Sequence, residues 1–187
     1  MNKFSGILII TLFGILSCKN SGNEKPTKEI GSQMQDSMVE VNKLLVRKDA
    51  ERIKAYVKRR GWEMIETKTG LWYSIYEKGE GKLAEKGMVA TLVYSVELLD
   101  GTPCYHSDKD GLKQFKISEG GVESGLEEGI LLLREGDKAR FIMPPHLAHG
   151  LIGDENCIPA RATIVYEVTL LNLSENLKLL NMKTLFL

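Results

Sequence analysis

The chain has 187 residues, with 25 basic and 25 acidic side chains and an apolar fraction of 43%. That suits one ordinary globular domain with extensions and excludes disorder throughout. The formal charge of +0 leaves no broad basic footprint, so a nucleic-acid partner, which needs clustered Lys and Arg to displace counterions, is not expected.

The chain opens with a basic Lys3, an apolar run from Ile7 to Leu16 and the small Ser17 before Cys18. The run is shorter than the roughly 20 apolar residues of a spanning helix, so residues 1–17 read as a secretory signal. Ile15-Leu16-Ser17-Cys18 resembles a lipobox, in which the chain is cut just before a diacylated cysteine. Cys18 is therefore the expected lipidation site, and the protein a membrane-anchored lipoprotein facing the periplasm. Residues 18–36 are polar and poor in aromatics, as in a flexible tether.

Residues 37–69 read as a helical extension. Met38, Val41 and Leu45 recur at helical spacing, and Ile53, Tyr56 and Val57 do so after Asp49, which is a suitable N-cap for a second piece. Two short helices or one bent helix fit this pattern. Lys58, Arg59 and Arg60 fall at its end, where the helix dipole favours them.

From Gly70 the period changes to two. Leu71, Tyr73 and Ile75 alternate with Trp72, Ser74 and Tyr76, and a glycine-rich turn follows. A second strand runs from Met88 to Leu99, with Ala90, Leu92, Tyr94 and Val96 on one face, and closes at the Asp100-Gly101 turn. Phe115 and Ile117 mark another short strand. Val122 to Arg134 carries Leu126, Ile130 and Leu133 at helical spacing. Ala139, Phe141 and Met143 alternate until Pro144-Pro145, which cannot donate to a ladder. After an aperiodic loop, Ile164, Tyr166, Val168 and Leu170 form one face of a last strand ending near Leu173. Strands separated by turns around a single central helix predict an α+β domain whose antiparallel sheet buries one face against that helix. The tail, 174–187, is leucine-rich without a decisive period and is a candidate cover for a sheet edge.

With Cys18 acylated, Cys104 and Cys157 remain, outside the cytoplasm, where disulfides persist. No CxxC motif is present, and His106, His146 and His149 follow no zinc spacing, so no metal and no cofactor is assigned.

Three blocks carry a family resemblance: GMVATLVYSVELLDGTPCYHS, GLEEGILLLREGDKARFIMPPHLAHG and IPARATIVYEVTLLNL. In order and spacing they resemble FKBP-type peptidyl-prolyl isomerases over about a hundred residues, placed here at 70–173. The resemblance implies a half-barrel of five or six antiparallel strands wrapped on one short helix, with an apolar cleft that takes a prolyl residue. Proline-containing protein segments are the implied partners, and acceleration of X–Pro rotation in exported proteins is the implied activity. The lipobox, the KRRGW junction and the missing terminal chaperone inserts further resemble lipoprotein FKBPs associated with gliding motility. Exported relatives often carry a dimerising helical region ahead of the domain, so a homodimer through the amino-terminal helices is an expectation beside simple packing on the domain.

Residue by residue, the resemblance places Tyr94 on the cleft floor, Ile158 in the loop before the last strand and Tyr166 on that strand, in place of the usual phenylalanine. Phe115 stands on the aromatic strand and Val122 at the cleft edge, and the Glu123 backbone N–H stands where the family donates to a substrate carbonyl. Four further positions depart from the family pattern. Cys104-Tyr105 replaces a Phe-Asp pair, Leu126 replaces a tryptophan, and His149 replaces the corner tyrosine, whose donor its ring N–H can supply. Losing large aromatics strips apolar wall, which leaves a catalytically weak module that holds proline segments or a motility-complex partner as the alternative. Cys104 and Cys157 fall on neighbouring parts of the cleft in this family, which suggests a disulfide across its rim; two small buried hydrophobes are the other reading.

Overall fold

The computed structural model describes residues 27–175. The expected signal, Cys18, the first part of the tether and the tail beyond Glu175 lie outside them. The chain divides into two compact units, residues 1–39 and 40–187.

Helix α1, Thr27–Arg60, is one continuous helix of 34 residues. This corrects two expectations. The tether assigned to 18–36 is already helical from Thr27, because Lys, Glu, Gln and Met are all good helix formers and a scarcity of apolar surface does not prevent a helix. Asp49 lies inside the helix and caps nothing. It is buried, and its carboxylate accepts from Arg161 Nη2 at 2.9 Å, so a tertiary partner replaces the capping role. In the first unit Met34, Met38 and Val39 are exposed; in the second, Val41, Leu44 and Val46 are exposed.

The remaining elements are β1 (Ile65–Glu66), β2 (Trp72–Glu77), β3 (Val89–Leu98), β4 (Pro103–His106), α2 (Ser107–Asp110), β5 (Lys113–Lys116), α3 (Ser124–Ile130), β6 (Lys138–Met143) and β7 (Ile164–Ser174). They build a seven-stranded sheet in the order β1-β2-β6-β7-β3-β4, with β5 also pairing β3. Every strand pair is antiparallel. The two-residue β1 lies inside the segment expected to be helical, and β4 pairs Ser95 with His106 and Val96 with Tyr105. Both are too short to show a period.

Register shifts interrupt β2 against β6, β3 against β4 and β3 against β7. An extra residue on one strand bends it and adds twist, and the sheet curves around α3. The concave face carries the alternation read from sequence: Ala90, Leu92, Tyr94 and Val96 of β3 and Ile164, Tyr166, Val168 and Leu170 of β7 are all buried. They join Leu126, Ile130 and Leu133 in one core cluster. Helix α3 is shorter than the expected Val122–Arg134, and its C-cap residue is Leu131.

The convex face is partly covered too. Ile53, Tyr56 and Val57 from the end of α1 pack with Trp72, Ile142 and Val165 in a second cluster. Arg140 lies 3.5 Å from the Trp62 ring centroid and pairs with Glu167, closing that layer with a cation–π contact.

Candidate active site

Tyr94 on β3 and Tyr166 on β7 come from neighbouring strands, in which Tyr94 pairs with Val168 and Val96 with Tyr166. This diagonal relation brings long side chains on one face into reach, and the rings stack with centroids 6.1 Å apart at 30°. Phe115, opposite Ala90 on β5, together with Leu126 and Ile158, belongs to the same buried cluster. Val122, Cys104 and Tyr105 pack against it, half-buried. The residues expected to line one cleft are thus brought together from β3, β4, β5, α3, β7 and the loop before β7.

The rim is crosslinked. Cys104 and Cys157 form a disulfide with Cα atoms 5.5 Å apart, which decides between the two readings of the pair. Beside it the Tyr105 hydroxyl donates to Asp154 Oδ2. The other oxygen, Asp154 Oδ1, accepts from the backbone N–H of Asn156 at 3.0 Å and of Ile158 at 2.8 Å. One carboxylate therefore shapes the loop that presents Ile158 and ties it to β4. The Tyr105 hydroxyl is held above its ordinary pKa chiefly by that hydrogen bond. Asp154 lies below the usual carboxylate range: desolvation pushes it up, and the bonds from Tyr105, Asn156 and Ile158 outweigh it.

At the centre of the site is a group the sequence reading used only for its backbone. Glu123, at the N-cap position of α3, turns its carboxylate inward, where its side chain is 8% exposed. Its Oε1 accepts from the Tyr166 hydroxyl at 2.8 Å and faces His149 Nε2 at 3.2 Å. Lys113 Nζ donates to the Tyr166 hydroxyl at 2.8 Å and lies 3.6 Å from Glu123 Oε2, which itself has no hydrogen-bond partner. The ammonium sits 5.0 Å from the Tyr94 ring centroid and 5.4 Å from that of Tyr166.

Burial raises the Glu123 pKa, but Lys113, the residue's own backbone N–H, the Tyr166 hydroxyl and His149 together hold it below the usual range. Burial foremost, and then the Glu123 charge, push the Tyr166 phenol far up, so it remains a neutral donor. His149 presents Nε2 to a carboxylate, which requires that nitrogen to carry the proton. Its N–H is thus directed at the protein's own Glu123.

Lys113, the Glu123 carboxylate and Asp154 went unread in the sequence. A clue was present: Tyr166 adds a hydroxyl to a position the family fills with phenylalanine, and a buried hydroxyl requires a partner.

An antiparallel sheet closed on one short helix, with stacked aromatics on its concave face and a disulfide tying β4 to the loop before β7, defines a protein of the α+β class. The family model for FKBP-type peptidyl-prolyl cis-trans isomerases matches residues 80–171. FK506-binding protein 1A of Emericella nidulans is 37% identical over 98 residues, which cover 51% of this chain and 91% of that protein. A probable FKBP-type peptidyl-prolyl cis-trans isomerase FkpA of Neisseria meningitidis serogroup B is 33% identical over 145 residues, covering 75% of this chain and 52% of the relative. The crystal structure of FkpA from Escherichia coli superposes with a TM-score of 0.59 at 27% identity, covering 81% of this chain and 74% of that one. The chain belongs to the FKBP-type peptidyl-prolyl cis-trans isomerase family. It spans about half the length of the Neisseria relative.

The depressed Glu123 pKa carries a sign. A carboxylate whose folded pKa lies below its unfolded value stabilises the fold fully above the latter, and that contribution is lost as pH falls through the folded value. Urea denaturation from pH 7 to pH 3 is expected to show the wild type losing stability more steeply than Glu123→Gln below about the ordinary glutamate value of 4.5. Parallel curves for the two proteins would contradict the depressed value.

Proposed function

We propose that the protein is a peptidyl-prolyl cis-trans isomerase that accelerates X–Pro rotation in exported proteins and so assists their folding. The observation that carries this reading is the convergence of Tyr94, Phe115, Leu126, Ile158 and Tyr166, the positions of the family's cleft, into one buried cluster. The barrier to rotation, about 18–20 kcal/mol, comes from amide resonance. Twisting the bond removes that resonance and leaves a less polar carbonyl and a pyramidal nitrogen. A dry aromatic site favours the twisted form over the planar one, and any preference for the transition state over the ground state appears as rate. Fixed hydrogen-bond donors at the flanking carbonyls would hold the peptide in the matching turn. The family's donor position is the Glu123 backbone N–H; His149 at the corner acts through the Glu123 carboxylate, which its Nε2 faces at 3.2 Å, and Tyr105, Cys104 and Val122 complete the walls.

The same proposal includes the finer placement: a lipoprotein of the gliding-motility-associated kind, anchored through Cys18 and facing the periplasm. Ile15-Leu16-Ser17-Cys18 after a short apolar run supports it, as does the disulfide, which suits an oxidising compartment. Among the described residues no helix is long and apolar enough to cross a membrane. Exposed apolar residues on α1 support a homodimer: Met34 and Met38 in the first unit, Val41 and Leu44 in the second.

The decisive measurement is refolding of an unrelated protein limited by proline isomerisation, a phase of tens to hundreds of seconds at 25 °C. Substoichiometric protein is expected to accelerate it, and His149→Ala to slow the catalysed rate several-fold, about 1 kcal/mol for one hydrogen bond. Peptide binding without acceleration would leave a binding module instead. Cys18→Ser is expected to move the protein from the membrane to the soluble fraction; retention in the membrane would refute lipid anchoring. In sedimentation velocity the chain is expected to run as a dimer and Met38→Glu/Val41→Glu as a monomer, and a wild-type monomer would refute the pairing.

A further inference from the structure

Lys113 stands where a ligand must go. Its ammonium lies over the faces of Tyr94 and Tyr166, 5.0 Å and 5.4 Å from their centroids, and the isomerase reading seats the prolyl segment against those same faces. Two groups cannot share one face. Lys113 must therefore swing aside, which its long flexible stem and a side-chain exposure of 23% permit.

That movement removes the cation from Glu123. The carboxylate is 8% exposed, and its Oε2 has no hydrogen-bond partner even with Lys113 in place. Oε1 is already engaged by the Tyr166 hydroxyl and His149. A buried carboxylate stripped of its counter-ion is strongly disfavoured, so a ligand that brings nothing to Oε2 pays the full penalty of opening the site. The Tyr94 phenol is held above its ordinary pKa by burial and then by the charges of Asp110 and Glu123. Once Lys113 has left, the surroundings of the two rings are negative.

We infer that the cleft selects X–Pro segments with Lys or Arg beside the proline, the incoming cation taking over the place of Lys113 against Glu123 Oε2 and the two tyrosine faces. In the free protein Lys113 is an internal stand-in for that residue. Glu123 is the specificity-determining group and Lys113 the positioning residue that keeps it neutralised between ligands. A cation on an aromatic face and a charge-assisted bond to a buried carboxylate are both strongest when desolvated, as here. An acidic neighbour would meet Glu123 across a low-dielectric gap and is disfavoured.

The inference rests on the isomerase reading, and one set of measurements separates the two. Cis–trans interconversion is followed by NMR exchange, free of any helper protease, on peptides that differ only in carrying Lys, Leu or Glu before the proline, with the full chain as catalyst. The expected result is a kcat/KM at least about tenfold higher for the Lys than for the Glu peptide, equivalent to about 1.4 kcal/mol. Leu is expected to lie between. Glu123→Gln, nearly isosteric and checked for its fold by circular dichroism, is expected to bring the ratio close to one, and Lys113→Ala to lower KM for the Lys peptide. Equal rates on the three peptides, or a preference that survives Glu123→Gln, would overturn the selectivity and leave the isomerase reading standing. Absence of catalysis on all three would overturn the isomerase reading instead. Chemical-shift titration with the same peptides then decides the selectivity: a lower Kd for the Lys peptide supports it and equal Kd values refute it.

Discussion

Gly125 and Gly129 lie one helical turn apart on α3, and a methyl group at either would intrude on β6 or the turn after it. At Gly125 it would lie 2.9 Å from Met143 Cγ, and at Gly129 2.7 Å from the Phe141 ring. Overpacking of that kind costs about 1–3 kcal/mol or forces the elements apart. Their absent side chains let the helix lie hard against the sheet, with Phe141 and Met143 filling the contact. The depth of the concave face follows from this approach. So does the position of Leu126 on its floor, and that of Glu123 at the point where the chain enters the helix.

Against this apolar scaffold four polar groups of the site form one connected set. Lys113 reaches Tyr166, Tyr166 reaches Glu123, and His149 closes on the same carboxylate. Burying a charge pair is expensive, and well-packed apolar residues of similar volume often stabilise as much or more. A partly satisfied set with one bare oxygen is therefore a poor device for stability. Ionisable groups so placed in a groove are more readily understood as serving what the groove contacts.

The parts of the fold legible in the sequence were those with a period to read. Strand β3 lies within one residue of its expected span at either end, and β6 and β7 stand where alternation placed them. What lacked a period was invisible to this reasoning. The four-residue β4 and the two-residue β1 are defined by their partners and not by their own pattern. The loop before β7 takes its shape from Asp154, which holds backbone groups two and four residues ahead. In the site, the aromatic positions came from the order of motif blocks, since periodicity alone calls Tyr94 and Tyr166 core residues. The inward turn of Glu123 could not be seen because it depends on Lys113 and Tyr166, distant in sequence and joined only by the pairing of β5 and β7 with β3.

The Cys104–Cys157 bond spans a sequence separation of 53. The stretch it encloses holds β5, α3 and β6, and with them Lys113, Phe115, Val122, Glu123, Leu126 and His149. Most of the site is thus written on a closed covalent ring, while Tyr94, Ile158 and Tyr166 belong to the chain on either side of it. A ring of that size restricts the unfolded chain by about 4 kcal/mol in the chain-entropy account. A single peptide-bond cut anywhere within the ring opens it into two arms that stay joined through sulfur, so one proteolytic nick would not by itself release a piece of the site.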